Sequence, residues 1–323
     1  MSITEAEPLT ADLEFLRTVD RRMLHRSALS EVFLTSAGAV DDHRFIAGAQ
    51  LPPAHAYYTD HLTDRRFPDP LLLLECCRQA ETYGAHAFHR VPADAKFVLR
   101  SWSWEEQPGV PVEPARGPAE LTMAVGTANP QVRDGALRGL DYTMDLRLAG
   151  RPLGTVRMSA SYLPAELYRP VRMHGRGSRP PLSDSPLLRP EGPAAPPRAV
   201  GRAREENVVL AALRVGADEA EARLRVLTDH PSMFDHALDH VPGMVAMEAA
   251  RQLALAAADG RDDAAGRPRV LALHGDFQRY IELDAPTVLR ARVHEEGHRL
   301  RVEVTVLQQD AVTCAVTVVL GEF

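Results

Sequence analysis

The 323-residue chain has few of the features that mark secreted, membrane or disulfide-stabilised proteins. Its three cysteines, Cys76, Cys77 and Cys314, are too few for a disulfide framework and lie in apolar segments. No run approaches the roughly 18 apolar residues of a membrane span. The opening residues, MSITEAEPLTADLEF, are acidic and lack the apolar core of a secretory signal. The sequence therefore predicts a protein of the reducing cytoplasm, with no membrane partner.

The chain also has fewer basic than acidic residues. The chain has 37 Lys and Arg against 44 Asp and Glu, a formal net charge of −7. Neutralising a nucleic-acid backbone needs a basic face, so this balance argues against nucleic acid as a main partner. Phosphate-binding loops, dinucleotide-binding glycine motifs, serine nucleophile elbows and C-x-x-C pairs are all missing. We therefore expect no cofactor and no metal.

One internal segment, residues 163–204, differs from the rest in composition. It is dense in Pro, Arg and Gly and has no sustained period of 2 or 3.6. Such a stretch buries too little apolar surface to order itself, so it predicts a mobile linker between residues 1–162 and 205–323. Its excess of positive charge leaves open a second interpretation, a binding surface for an acidic partner.

The regions on either side of this segment resemble each other. Each has one apolar helical segment, at 68–88 and 242–260, and both segments contain the phrase E-x-x-R-Q. Strand-like segments surround both, and RLRVEVTVL at 299–307 alternates polar and apolar residues. A helix that is apolar nearly all round must be covered on most sides, which a curved antiparallel sheet achieves. We therefore predict an α+β double hotdog fold, with two long central helices each wrapped by antiparallel sheet.

The E-x-x-R-Q phrases place three polar side chains on one face of each helix, because positions i, i+3 and i+4 are neighbours. An exposed ion pair would explain this spacing without any function. The flanks LLLLECC and MVAMEAA leave little solvated face, however, and buried charges are costly unless paired or used. Burial raises a Glu pKa and suits it to proton transfer, unless the Arg holds it ionised. The residues are Glu75, Arg78 and Gln79, and Glu248, Arg251 and Gln252.

Histidines and a Pro-Gly pair precede the helices. His61 lies fourteen residues before Glu75, and the stretch DHALDH, 235–240, precedes the second helix. These histidines have a structural interpretation as turn caps, and a metal site is disfavoured because nothing fixes an open tetrahedral arrangement. Gly243 is either a plain turn residue or part of an anion-binding helix N-terminus, whose N–H groups can polarise a thioester carbonyl.

Several stretches resemble a known family. MLHRSALSEVFLT, FIAGAQLPPAHAYYTDH and DPLLLLECCRQA resemble the N-terminal repeat of the A-factor biosynthesis family, the γ-butyrolactone synthases of actinomycetes. HPSMFDHALDHVPGMVAMEAARQ is similar to that family's C-terminal repeat. The resemblance covers nearly the whole chain outside 163–204. More distantly, the His61-to-Glu75 spacing resembles hotdog dehydratases that act on acyl carrier protein thioesters.

The family resemblance implies an acyltransferase. Such an enzyme joins a β-ketoacyl group, carried on acyl carrier protein, to a hydroxyl of dihydroxyacetone phosphate. In this interpretation Glu248 or Glu75 is the general base, with His61 as a further catalytic candidate. Amides near Gly243 would meet the carbonyl oxyanion, Arg251 or Arg78 would bind the phosphate, and Gln252 would assist substrate binding. The chain would be a monomer or a homodimer.

Other functions remain open at this stage. A dehydratase or thioesterase would use His61 with a Glu of the other repeat. A non-catalytic double hotdog would bind an acyl ligand without turnover. A DNA-binding regulator that uses the Arg-rich segment is disfavoured by the acidic overall charge.

Overall fold

The computed structural model describes residues 12–63, 67–109, 117–185, 192–259 and 268–321. This part of the chain contains three α-helices, α1 Pro70–Ala87, α2 Ala165–Arg176 and α3 Gly243–Ala258. None of them is long and apolar enough to cross a membrane. The strands are β1 Leu34–Ala39, β2 Arg44–Leu51, β3 Lys96–Glu106, β4 Ala119–Arg133, β5 Ala136–Leu148, β6 Arg151–Leu163, β7 Leu210–Val215, β8 Glu219–Leu224, β9 Arg269–Phe277, β10 Thr287–Glu296, β11 Arg299–Gln308 and β12 Ala311–Gly321.

These strands form one antiparallel sheet that records an internal duplication. The strand order is β1-β2-β4-β5-β6-β3-β9-β12-β11-β10-β8-β7. Read inward from the opposite edge, the strands of the second half therefore follow the same order as those of the first half. The two halves meet where β3 pairs with β9, from Ser101 opposite Asp276 to Glu105 opposite Ala272. The predicted α+β class and the duplicated antiparallel sheet are confirmed.

Alternating side chains explain why the strands form a half-buried layer. In β11 the side chains of Val302, Val304 and Val306 are buried, whereas Glu303 between them is exposed. This matches the period-2 pattern of the sequence, because successive strand residues point to opposite faces. The buried valines belong to the same hydrophobic core as α3.

The two apolar helices lie against opposite halves of the sheet. Helix α1 contacts β1, β2 and β3, and α3 contacts β7 to β12. Asp69 caps α1 by accepting a hydrogen bond from the Leu71 amide at 2.8 Å, with Pro70 as the first helical residue. Helix α3 begins at Gly243 behind Pro242. Gly260, where the predicted helical segment ended, lies outside the described residues.

The prediction that 163–204 is a mobile linker without regular structure is wrong for the described parts of that segment. Residues 165–176 form α2, and Arg202 is fully buried. Helix α2 is held mainly by charge rather than by apolar contact. Its Arg172 donates hydrogen bonds to Asp239 Oδ2 at 3.2 Å and to Glu282 Oε1 at 2.7 Å. The prediction of two helices is therefore incomplete, because a rule based on apolar burial overlooks such docking.

Candidate active site

The E-x-x-R-Q phrase of α3 forms a buried ionic cluster. Glu248 has no exposed surface. Arg202 Nε donates to Glu248 Oε1 at 2.8 Å, and Arg251 Nη2 lies 2.6 Å from Glu248 Oε2. Gln252 Nε2 donates to Glu248 Oε1 at 2.5 Å. The Glu248 carboxylate is thus enclosed by two guanidinium groups and one amide, not displayed as a surface ion pair.

The matching phrase of α1 forms an equivalent cluster around Glu75. Arg26 Nε donates to Glu75 Oε1 at 3.1 Å, and Arg78 Nε donates to Glu75 Oε2 at 2.9 Å. Burial acts to raise the pKa of Glu75, but the guanidiniums of Arg26 and Arg78 outweigh it and lower the pKa to about 2. The arginines therefore hold this Glu ionised, which makes it a weak proton acceptor.

The two glutamines hold the chain segments that lead into β1 and β7. Gln252 Oε1 accepts from the Val209 amide at 3.0 Å, and its Nε2 also donates to the Asn207 carbonyl at 2.8 Å. Gln79 makes the same pair of bonds to the Phe33 amide and the Glu31 carbonyl. Both ends of each amide are engaged inside the protein, so these residues position the backbone.

Arg26 and Arg202 are two cluster residues that sequence reasoning missed. They complete the clusters from segments that precede β1 and β7. The stretches RSALSEVFL, 26–34, and RAREENVVL, 202–210, place Arg, Val and Leu at the same spacing. That signal was present, but Arg202 fell inside the predicted linker.

One residue distinguishes the two clusters. Asp69, the cap of α1, accepts a hydrogen bond from Arg251 Nη1 at 2.5 Å. The corresponding cap of α3 is Pro242, which has no carboxylate to offer Arg78. Burial acts to raise the pKa of Asp69, but the nearby cations, led by Arg251, outweigh it and lower that pKa. Asp69 therefore ties the start of α1 to α3 as an anion.

A pocket lies beside the α3 cluster, where the two halves meet. It is small and partly open to solvent, with a cavity volume of about 30 Å³. Its lining combines apolar side chains with polar and charged ones. The apolar lining residues are Phe67, Pro68, Pro70, Leu73, Trp104, Leu153, Leu255 and Val270, and the polar ones are His61, Thr63, Glu106, Arg251 and Arg269, with Gly201 between them.

The pocket brings together two of the predicted site residues, His61 and Arg251. Glu248 lies behind Arg251 and does not line this pocket. Glu75 and Arg78 belong to the other cluster. Gly243 lies at the start of α3, where an added Cβ would come within 2.8 Å of Leu99 Cδ2. Glycine at that position therefore allows close packing against the Leu99 side chain.

His61 is held at the pocket by both halves of the chain. Its Nδ1 lies 2.7 Å from Thr63 Oγ1. Its backbone forms a bridge to Arg202, and the next amide, that of Leu62, donates to the Gly201 carbonyl at 2.9 Å. The side chain is buried but contributes to the pocket lining. An imidazole fixed in this way can transfer protons beside Arg251.

Comparison with known proteins places both halves in one family. Residues 9–164 and 184–321 match the model described as the A-factor biosynthesis hotdog domain. Three relatives are each described as a 2-oxo-3-(phosphooxy)propyl 3-oxoalkanoate synthase. The one from Streptomyces virginiae is 34% identical over 91% of this chain and 94% of its own length. Those from Streptomyces coelicolor and Streptomyces griseus are 32% and 31% identical, over 85% and 97% of this chain and 82% and 98% of their own lengths.

Proposed function

Because this chain belongs to the A-factor biosynthesis hotdog family, we propose that it transfers a 3-oxoacyl group from a thioester to a hydroxyl of dihydroxyacetone phosphate. The product would be the phosphorylated ester named in its relatives, a precursor of γ-butyrolactone signals. In this proposal the acyl donor arrives on acyl carrier protein. The protein acts in the cytoplasm as a monomer or homodimer, each half wrapping one long helix.

The observation that carries this proposal is the pocket between the halves, whose lining combines apolar and charged side chains. Its apolar lining residues, which include Leu73, Leu153 and Leu255, can contact an alkyl chain. His61 and the guanidiniums of Arg251 and Arg269 belong to the same lining. A substrate pair with an apolar acyl chain and a phosphate needs both kinds of side chain in one place.

We assign the proton transfer to His61. The hydroxyl oxygen of the acceptor attacks the thioester carbonyl carbon, and His61 takes the hydroxyl proton. As the tetrahedral intermediate collapses, the C–O bond of the ester remains, the C–S bond breaks, and the proton passes to the leaving thiolate. This assignment replaces Glu248 and Glu75, which are enclosed by arginines and do not line the pocket.

Arg251 is proposed to meet the carbonyl oxygen as negative charge develops there. Two of its nitrogens are held by Asp69 and Glu248. Its Nε has no hydrogen-bond partner within the described part of the chain. A cation whose orientation is already fixed stabilises a transition state without reorganising. Glu248 then acts through Arg251, as a positioning residue.

The direct test mixes the protein with a 3-oxoacyl thioester and dihydroxyacetone phosphate and measures the ester phosphate by mass spectrometry. We expect His61→Gln to reduce the rate at least about a hundredfold, as is typical for loss of a general base. The matched control is His236→Gln, because His236 occupies the corresponding place before α3 and is absent from the pocket lining. Equal loss in both variants would contradict the role of His61.

A thioesterase is the second candidate, because the pocket beside His61 is partly open to solvent. Water would then take the place of the acceptor hydroxyl. Free 3-oxo acid released at the same rate with and without dihydroxyacetone phosphate would favour this activity. Release of thiol only in the presence of the acceptor would exclude it.

A further inference from the structure

A second arginine of the pocket, Arg269, joins the two halves of the sheet. It is the first residue of β9, and its guanidinium lies 3.5 Å from the centre of the Phe67 ring. Its Nη2 donates a hydrogen bond to Oε1 of Glu106, the last residue of β3. The two side chains are only 11% and 17% exposed. A largely buried ion pair therefore spans the β3–β9 junction in the pocket wall.

The protein leaves several buried donors in this wall without an acceptor. Within the described ranges, neither Nε nor Nη1 of Arg269 has a hydrogen-bond partner, and the indole Nε1 of Trp104 has none either. Both residues line the pocket. Buried polar groups are nearly always paired in folded proteins, and leaving one unpaired is costly. Unpaired N–H groups on a cation indicate a ligand with several negatively charged oxygens.

We propose that Arg269 and Trp104 bind the phosphate group of the acceptor, and that Arg269 makes the enzyme select a phosphorylated acceptor. This inference rests on the proposed function, which supplies the acceptor. A guanidinium presents N–H groups in a fork that matches two phosphate oxygens. The Phe67 ring covers one face of that fork, so the N–H edge remains for the ligand. Arg251 is thereby left for the reacting carbonyl.

Glu106 gives this site its selectivity. In the absence of ligand its carboxylate neutralises Arg269 across the junction. A phosphate dianion brings enough charge to displace that carboxylate, whereas an unphosphorylated acceptor does not. Burial also raises the pKa of Glu106, against the opposing effect of Arg269, so the displaced carboxyl group more readily takes a proton. Arg269 thus exchanges the Glu106 carboxylate for the phosphate of the ligand.

The test compares dihydroxyacetone phosphate with unphosphorylated dihydroxyacetone in steady-state kinetics. Arg269→Gln should raise the KM for the phosphorylated acceptor about 10- to 100-fold, as expected for a lost charge-assisted contact. Its KM for the thioester and its rate with dihydroxyacetone should change far less than this. Glu106→Gln should lower the KM for the phosphorylated acceptor, because the competing anion is gone.

Lys96→Gln is the matched control, because Lys96 begins β3 as Arg269 begins β9, and its side chain is exposed. It should leave all these constants unchanged. An unaltered KM for dihydroxyacetone phosphate in Arg269→Gln would overturn the inference. An equal loss with both acceptors would overturn it as well.

Calorimetric titration with dihydroxyacetone phosphate and with inorganic phosphate, at constant ionic strength, separates this inference from the proposed function. Binding that disappears in Arg269→Gln supports the phosphate site even if no ester forms, and the missing ester then refutes the transferase. Ester formation with an unchanged KM in Arg269→Gln refutes the phosphate site alone. If wild-type protein binds neither anion and forms no ester, both are refuted.

Discussion

Asp69 and Arg251 join the two repeats, because Arg251 of α3 donates to the carboxylate that caps α1, at 2.5 Å. Arg251 pairs with two carboxylates, one from its helix neighbour Glu248 and one from Asp69 in the opposite half of the chain. Within the described residues, Arg78 in the other cluster has no second carboxylate of this kind, since Pro242 replaces Asp69 there. The duplicated chain has thus become asymmetric at the pocket.

Asp69→Asn should reduce kcat about tenfold while the helix cap survives. Asn caps helices as well as Asp does, so the substitution removes the charge and spares the cap. Arg251 would then lose one of its two anchors, and a small displacement of a positioned group is costly in rate. Kinetics with saturating substrates and thermal unfolding would be measured together. Asp69→Ser should behave alike, and wild-type turnover in both variants would show that the ion pair is dispensable.

Arg202→Met should destabilise the protein more than Arg26→Met. Without Arg202, the α3 cluster contains two carboxylates, Glu248 and Asp69, and one guanidinium, so a buried negative charge is uncompensated. Without Arg26, Glu75 keeps Arg78 and the cluster stays balanced. Breaking a buried pair costs about 3–5 kcal/mol. Denaturant unfolding of both variants would measure the difference.

The double variant Arg202→Met/Asp69→Asn provides the control for this charge count. In this variant one carboxylate, Glu248, faces one guanidinium, Arg251, so the charges balance again. Its loss of stability should therefore be smaller than the sum of the losses in the two single variants. Strict additivity would mean that packing, not charge balance, accounts for the effect of Arg202.

Sequence patterns predicted the duplicated sheet because its signals are local. Alternation in β11 and the repeated phrase at Glu75 and Glu248 can be recognised within single segments. The charged lining residues of the pocket could not be predicted in this way. Arg269 and Glu106 lie at the ends of strands from different repeats, and only the β3–β9 pairing brings them together. The structure changes the proposed acid-base residue from Glu248 to His61 for a similar reason. Arg202, which encloses the Glu248 carboxylate, comes from a distant segment of the chain.

Helix α2 shows a different limit of sequence patterns. Composition rules weigh apolar burial, yet α2 turns Tyr168, Arg172 and Arg176 toward the body and leaves Leu167 and Val171 exposed. Its order depends on partners more than sixty residues away in the chain. No local pattern contains that information, and the boundaries 1–162 and 205–323 stay predictions.

Arg172→Ala should release α2 while the pocket keeps its activity. Arg172 is buried and shares its guanidinium between Asp239 and Glu282, so its loss leaves both carboxylates short of a partner. We expect faster amide hydrogen exchange across 165–176 and a global stability lower by about 2–4 kcal/mol. Arg169→Ala is the matched control on the exposed face of the same helix. Unchanged exchange in Arg172→Ala would show that α2 is held by other contacts.

Glu81→Gln should change how stability depends on pH. Glu81 is buried in the first half, where Tyr162 Oη donates to its Oε1 at 2.9 Å. Burial raises its pKa to about 7, from a usual 4.5, and the hydrogen bonds from Tyr162 and Thr82 only partly oppose this. A group with a raised folded-state pKa stabilises the fold fully below pH 4.5, and that contribution is lost as pH rises through about 7.

Wild-type protein should therefore lose up to about 3 kcal/mol of stability between pH 4.5 and 7 through this group alone. Gln cannot ionise and still accepts a hydrogen bond from Tyr162, so Glu81→Gln lacks that loss. Denaturant unfolding at pH 5 and pH 8 would compare the two proteins. The variant should be more stable relative to wild type at pH 8 than at pH 5. At pH 8 folded wild-type protein must either bury the charged Glu81 carboxylate or take up a proton there, and the glutamine of the variant requires neither. Parallel pH profiles would mean that Glu81 is already ionised in the folded state, held by Tyr162 and its neighbours.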